Sequence, residues 1–279
     1  MESNAYVDYG YLRQLVFSVS QNVLEASRDY LFETRLTRIL RNQGMSDLNE
    51  LVHKLRAQKD AALEREVAEA MTINETSFFR DLRPFELMRQ ELLPKIVEAR
   101  RHRRTLRLWS AACATGQEAY SLAMLLLEHF PMLVGWSITI EGTDISSEVV
   151  QRAQAGRYQR IEINRGLPAR HLVRYFDHVG EDWIVKPEVR KLCRFRQANL
   201  CGPSLPFKRA GDCFDVIFLR NVMLYFDLST RRNLLIGVHH LLAPDGVLFL
   251  GSSEQPVDAS LWTPVLAGGT CHFRPRQPS

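Results

Sequence analysis

Through the first seventy residues, apolar side chains recur every three or four positions. Leu12, Leu15, Val16, Val19 and Val23 follow i, i+3, i+4, i+7 spacing and predict one helix, and Leu36, Ile39 and Leu40 predict a second that Gly44 ends. Ser46 is the expected N-cap of a third helix carrying Leu48, Leu51, Val52 and Leu55, and Leu63, Val67, Ala70 and Met71 outline a fourth. Residues 1–72 therefore read as a small helical domain. The period breaks at TINETSFFRDLRP, residues 72–84, where Phe78 and Phe79 stand side by side. Exposed linkers seldom carry such apolar bulk, so residues 73–95 are expected to pack into a cleft and to present Asn74, Thr76 and Arg80 there. Phe85 to Arg104 reads as one helix, kinked or restarted near Pro94, with a basic end at Arg100, Arg101, Arg103 and Arg104 that suits a helix C-terminus.

Beyond residue 96 strands and helices alternate. LRLWSAACATGQEAYSLAMLLLE, residues 106–128, has Leu106, Leu108 and Trp109 for a central strand, small residues from Ala111 to Gly116 for a turn, and Ala123, Met124 and Leu127 for a helix. A helix start with open N–H groups favours an anionic ligand group, and small residues let it approach the main chain. Of the dinucleotide pattern GxGxxG only Gly116 is present, so an ordinary strand-to-helix turn stays open as a reading. WSITIEGTDIS gives a second strand ending at Asp144, then Ser146 as N-cap and a helix that Gly156 terminates. An acid at that strand end accepts ribose hydroxyls in nucleoside-binding sheets, although Asp144 sits somewhat beyond the roughly 20 residues usual there. Residues 157–195 lack clean helical alternation and are expected to form an inserted β element, with extended pieces at Trp183–Val185 and Leu192–Phe195. A loop at Asn199 and Leu200, a buried strand in FDVIFLRNVMLYFD, a further strand in APDGVLFLGSSE and a closing strand in GGTCHFRPR complete a domain expected over 96–279. In a parallel sheet the strand ends bring Gly116, Asp144, Asn199 and Asn221 together.

Composition narrows the class. With 279 residues, 46% of them hydrophobic and 24% charged, the chain can bury a full core. No apolar run approaches the ~20 residues of a membrane span, and Met1 to Gly10 lacks the basic start and apolar core of a secretory signal, so a cytoplasmic home is expected. Five cysteines without CxxC spacing indicate neither disulfides nor zinc. His239 and His240 lie among leucines and read as helix residues. A net charge of +4 permits an acidic partner without demanding one. Arg35, Arg38 and Arg41, at steps of three without an intervening acid, form either a solvated face or a docking surface.

Taken in order, TINETSFFRD, LRLWSAACATGQEAYSLAM, EGTDIS with the following AGRY, and FDVIFLRNVMLYFD with PDGVLFLGSSE resemble the chemotaxis receptor methyltransferases of the CheR family. RLTRILRNQG resembles their helical N-terminal domain, so the likeness covers nearly the whole chain. It implies an α/β class I S-adenosylmethionine-dependent methyltransferase fold, Rossmann-like with a mostly parallel sheet, a small N-terminal all-helical domain and a small β insertion. It implies S-adenosyl-L-methionine as cofactor, with S-adenosyl-L-homocysteine as product. Asn74, Thr76, Arg80, Glu118, Asp144, Asn199 with Leu200, and Asn221 with Val222 are implied to line the cofactor site. The implied reaction passes a methyl group to glutamate side chains of chemoreceptors as a γ-methyl ester. Gln117 and Ala119 depart from the frequent GEEPYS form, while Glu118 is intact. RYFDHVGEDWIV lacks the Gly-Pro-Gly-like loop of members tethered to a receptor pentapeptide, and so resembles the pentapeptide-independent type. With the chain stopping soon after the closing strand, no tetratricopeptide extension is expected.

The chemistry suits these residues. A glutamate nucleophile, with a reference pKa of about 4.3, is ionised near neutrality, so displacement at a sulfonium needs neither metal nor general base. Arg80 is expected to act between cofactor and substrate. Tyr225 either orients the acceptor carboxylate or is a core tyrosine. Acidic receptor helices give the Arg35, Arg38 and Arg41 stripe a partner. A monomer is expected. The competing class, a cofactor-binding regulator without turnover, is separable by assay. Nucleic-acid methylation is disfavoured by NVMLYF where base amino-methylases carry an (Asp/Asn)-Pro-Pro-aromatic tetrad.

Overall fold

The computed structural model describes residues 7–202, 205–207 and 213–276, so the first six residues of the signal-free N-terminal reading lie outside it. The chain forms two compact units, one of residues Met1–Ile73 with Tyr225–Thr230 and one of Asn74–Leu224 with Arg231–Ser279.

The first unit contains α1 (Tyr9–Ser20), α2 (Tyr30–Arg35), α3 (Thr37–Gln43), α4 (Leu48–Ala57) and α5 (Ala61–Ala70). Their apolar faces bury Leu12, Val16, Phe32, Leu36, Ile39, Leu51 and Val67 in one core. Local chemistry moves several expected boundaries. Gln21 takes a left-handed conformation after α1 and its side-chain amide donates to the Phe17 carbonyl, so Val23 lies outside the helix, 48% exposed. The expected second helix is two helices broken at Leu36. The Thr37 hydroxyl donates to the Glu33 carbonyl at 2.9 Å, and back-bonding of this kind bends helices. Asp47, not Ser46, caps α4, accepting the Glu50 N–H at 3.0 Å, while the Glu50 carboxylate accepts the Ser46 N–H.

Helix α6 (Arg83–Leu87) opens the second unit's regular structure and runs through a π-helical turn, Met88–Leu92, into α7 (Leu93–Arg100). Pro94 sits in the first turn of α7, and the wider turn before it absorbs the carbonyl its ring would strike. There follow β1 (Thr105–Ala111), α8 (Gln117–His129), β2 (Ser137–Asp144), α9 (Ser147–Ala155), β3 (Arg157–Gln159), α10 (Arg160–Ile163), α11 (Ala169–Tyr175), β4 (Phe176–Val179), β5 (Asp182–Val185), α12 (Pro187–Arg190), β6 (Cys193–Gln197), β7 (Phe214–Leu219), α13 (Leu228–Leu241), β8 (Leu242–Leu250), β9 (Trp262–Ala267) and β10 (Thr270–Pro275).

Seven strands form the main sheet in the order β6-β2-β1-β7-β8-β10-β9. The first five are parallel, and β10 is antiparallel to both β8 and β9. Central β7 is buried at every position, as a strand covered on both faces requires. This is an α/β fold with a mostly parallel sheet, as the resemblance to class I methyltransferases implies. A three-stranded sheet, β3-β5-β4, forms the insertion, which also carries the short helices α10 to α12. The insertion ends sooner than expected, because Cys193–Gln197 pairs with β2 in the main sheet. Strand β9 was not anticipated.

At the N-terminal edge of the sheet the basic end of α7 is not simply solvated. Arg100, 6% exposed, donates its Nε to Asp215 at 2.6 Å and its two Nη groups to Asp245 at 2.8 and 2.5 Å. Asp215 also accepts the Arg107 N–H at 2.8 Å, so one guanidinium joins α7, β1, β7 and β8. Removing it would leave Asp215 buried and uncompensated, a loss of about 3–5 kcal/mol.

Strand β10 buries His272, 2% exposed, beside Phe249, with neither ring nitrogen hydrogen-bonded. Burial, aided by the charges of Arg274 and Lys95, pushes its pKa down to about 4. The folded chain holds this ring neutral, so as pH falls from about 6.5 towards 4 the unfolded chain takes up a proton that the folded one refuses. Stability declines over that window by on the order of 3 kcal/mol from this group. Urea unfolding between pH 7.5 and 4.5 is expected to show that decline, and His272→Phe to flatten it by about one proton.

Candidate active site

The turn between β1 and α8 is organised by backbone strain and by one carboxylate. Ala112, Ala114 and Gly116 all have positive φ, at 57, 46 and 92°. The Cys113 N–H donates to the Thr143 carbonyl at 2.9 Å, and the Ala114 N–H donates to Asp144 Oδ2 at 2.9 Å. Non-glycine residues reach this conformation only when their surroundings fix them, and such strain gathers at functional loops. Gly116 itself answers packing. A Cβ there would stand 2.9 Å from the Ala153 Cβ and 3.2 Å from the Phe195 ring, so its bareness lets α8 close on α9 and β6.

Asp144 closes β2, 5% exposed. Its other oxygen accepts the Ser146 N–H at 3.0 Å, and Ser146 occupies the N-cap position of α9 without a side-chain cap bond of its own. The Asp144 carbonyl accepts the Ala198 N–H at 2.7 Å, which sets Asn199 and Leu200 beside the end of β2. Asn199 Oδ1 accepts the Cys201 N–H at 2.9 Å and shapes the loop after β6.

The segment before α6 does fold into the α/β unit. Phe78 is 1% exposed and meets Tyr158 and Phe176 edge-on at 5.0 and 5.6 Å. The Phe79 N–H donates to Ser121 Oγ on α8 at 2.9 Å. Gly166 lies against this strap so closely that a Cβ would meet the Phe78 carbonyl oxygen at 2.1 Å. Arg220, at the end of β7, then ties the strap to the sheet edge. It donates to the Arg80 carbonyl at 3.2 Å, to Asp81 at 2.6 Å and to Glu118 Oε2 at 3.2 Å, while Ser110 Oγ donates to Glu118 Oε1 at 2.7 Å. Arg80 is thereby held by its main-chain carbonyl and Asp81 by its carboxylate, and the Arg80 side chain donates to the Glu75 carbonyl at 3.0 Å.

A second carboxylate organises the loop after β7. Glu254, 7% exposed, accepts the N–H groups of Asn221 at 2.8 Å and Gly251 at 2.7 Å on one oxygen. Its other oxygen accepts those of Val222 at 3.0 Å and Leu224 at 3.3 Å. The N–H groups of Asn221 and Val222 are thus occupied within the protein, and Asn221 is held at φ 58°.

Nine sequence-predicted residues, Asn74, Thr76, Arg80, Glu118, Asp144, Asn199, Leu200, Asn221 and Val222, belong to the α/β unit, five of them at the carboxyl ends of β2, β6 and β7. Tyr225 belongs to the helical unit, where its carbonyl accepts the Val23 N–H at 2.8 Å. Sequence reasoning missed Arg220 and Glu254. The signals were a cation closing the apolar run VIFL, in FLRN, and an acid soon after the apolar run VLFL, in GSSE. Among the described residues, no group of three or more His, Cys, Asp or Glu is placed to hold a metal ion. Replacement of Glu254 by Gln is expected to cost about 2–3 kcal/mol, since an amide NH₂ must face N–H donors. Hydrogen exchange should show the amides of residues 221–224 losing protection before the strands do.

Residues 74–268 match the family model described as CheR methyltransferase, SAM binding domain, a match that opens where the α/β unit opens. Chemotaxis protein methyltransferase 1 of Pseudomonas aeruginosa is 38% identical over 90% of this chain and 91% of its own length. The Cher2 chemotaxis methyltransferase of Pseudomonas putida is 36% identical over the same shares, and that of Vibrio parahaemolyticus 34% over 84 and 83%. With its parallel sheet, strand-edge carboxylates and strap in place, the chain belongs to the CheR methyltransferase family, and residues 74–268 are its S-adenosylmethionine-binding domain.

Proposed function

We propose that this chain methylates glutamate side chains on the cytoplasmic helices of chemoreceptors, forming γ-methyl esters. The observation that carries the reading is the Arg220 junction, which brings Arg80, Asp81 and Glu118 together at the carboxyl edge of the sheet. Glu118, Asp144, Asn199 and Asn221 stand along that edge, and Arg220 Nε is buried there without a hydrogen-bond partner. This set of donors and acceptors fits a ligand with hydroxyls, an ammonium and a carboxylate. Bound S-adenosylmethionine supplies a methyl group on a sulfonium, open to in-line displacement.

What the protein adds is placement. The acceptor glutamate is ionised near neutrality, so the chain needs to orient a nucleophile rather than create one. Alignment of the two partners accounts for roughly 7–11 kcal/mol of a barrier of this kind. We assign Asn74, Thr76, Arg80, Glu118, Asp144, Asn199, Leu200, Asn221 and Val222 to the cofactor. Arg80 also acts between cofactor and acceptor, and Tyr225 orients the acceptor carboxylate. Among the described residues no helix is long and apolar enough to cross a membrane. Between β4 and β5 the insertion turns in two residues, Gly180 and Glu181, which supports assignment to the pentapeptide-independent type.

The basic stripe is narrower than its spacing suggested. Arg35 is half-buried and donates to the Thr72 carbonyl at 2.8 Å, and the break at Leu36 separates it from Arg38 and Arg41, which are exposed on α3. Those two are the residues we assign to receptor docking.

Purified chain with tritiated-methyl S-adenosylmethionine and receptor signalling domains is expected to yield base-labile label on receptor glutamates. Counts no higher than those of an Asp144→Ala control would refute the reading. Reversal of Arg38 and Arg41 to Glu should lower receptor methylation roughly tenfold at low salt, with S-adenosylhomocysteine affinity unchanged by calorimetry. Equal loss of both would remove the docking role.

A further inference from the structure

Helix α11 buries His171 to 4% exposure, and neither ring nitrogen has a hydrogen-bond partner. A buried polar group in that state costs stability unless something completes it. The imidazole stacks on Phe79 at 5.1 Å and 28°, and it borders a cavity of about 340 Å³. Phe79 and Phe85 give the cavity an apolar wall, while Arg89, Arg170 and His129 stand around it. Glu86 is the one carboxylate among its lining residues, and neither Arg89 nor Arg170 makes an ion pair among the described residues.

Two cations and two imidazoles therefore converge on an apolar-walled hollow. The carboxylates that face them are Glu86, in the lining, and Glu128, which acts on both imidazoles while paired to Arg174, and neither forms an ion pair with Arg89 or Arg170. Burial, then the charge of Arg170, holds the His171 pKa below its ordinary value; burial, then Arg89, does the same to His129. An anion arriving here would relieve that mutual repulsion and offer His171 an acceptor. A bare inorganic ion would leave the two phenyl rings unmatched, whereas a ligand with an apolar ring or chain would cover them. The cavity is separate from the strand edge. It borders α8 at Leu125 and His129, about 10 and 16 Å along the helix axis from Glu118 in the first turn.

We propose that this cavity binds a small organic anion, a carboxylate or phosphate monoester on an apolar body, with its charge toward Arg89, Arg170 and His171 and its body against Phe79 and Phe85. Phe79 lies in the strap that carries Asn74, Thr76 and Arg80, so the ligand would touch the same segment the cofactor site uses.

Binding is read on the full chain, ¹⁵N-labelled, from its imidazole signals during titration with sodium benzoate, phenyl phosphate, inorganic phosphate or benzyl alcohol. His171→Phe, which keeps the stack and deletes both nitrogens, assigns the His171 signal. Benzoate or phenyl phosphate is expected to shift the His171 and His129 signals saturably and to raise both histidine pKa values, with benzyl alcohol and inorganic phosphate silent at equal concentration. Arg89→Glu with Arg170→Glu, both at exposed positions, should weaken binding at least tenfold. If that pair fails to fold, Arg170→Gln carries the same comparison with a smaller expected loss. The proposal is overturned if neither organic anion gives a saturable shift, if benzyl alcohol or inorganic phosphate binds as well, or if the charge changes leave affinity intact. None of these readouts depends on methyl transfer.

Discussion

Backbone N–H groups at the end of a parallel strand lose their ladder partners, and each one buried without an acceptor costs about 1–3 kcal/mol. Two carboxylates resolve that constraint here. Asp144 gathers the N–H groups of Ala114 and Ser146, and Glu254 gathers those of Asn221, Val222, Leu224 and Gly251. Both hold left-handed, non-glycine turns in place, at Ala114 and at Asn221. The shape of the strand edge follows from these caps before any ligand is considered.

The strap depends on the edge in turn. Its aromatic side chains are anchored by the insertion, and its backbone by Ser121 of α8 and by Arg220, so three parts of the sequence far from one another meet over a few residues. A guanidinium suits that junction because its fixed fork reaches a carbonyl and two carboxylates at once. The insertion is thus a structural support for the strap as well as a decoration of the fold, and the tight seat of Gly166 against Phe78 shows how little slack remains.

Much of this was legible in the sequence. Periodicity located most helices and the central strands, and the pairing of Phe78 with Phe79 pointed to a buried strap. Failures occurred where side chains overrode periodicity, as Thr37 did in splitting a helix and Asp47 in replacing Ser46 as cap. Arg100 looked like ordinary helix-end charge, because its partners Asp215 and Asp245 lie more than a hundred residues away. Glu254 was hidden for a related reason, since its partners are main-chain groups and carry no signature in side-chain spacing. Arg35 showed the reverse error. Spacing made it one of three equals, and the fold commits it to a carbonyl of its own unit.

The cluster of Arg100, Asp215 and Asp245 lies at the rim of the sheet opposite the strap. The two rims of the sheet are thus fastened by different chemistry, the far one by a guanidinium shared between two carboxylates and the working one by carboxylates that gather main-chain N–H groups, so a change that neutralises Arg100 would loosen the far rim without touching those caps.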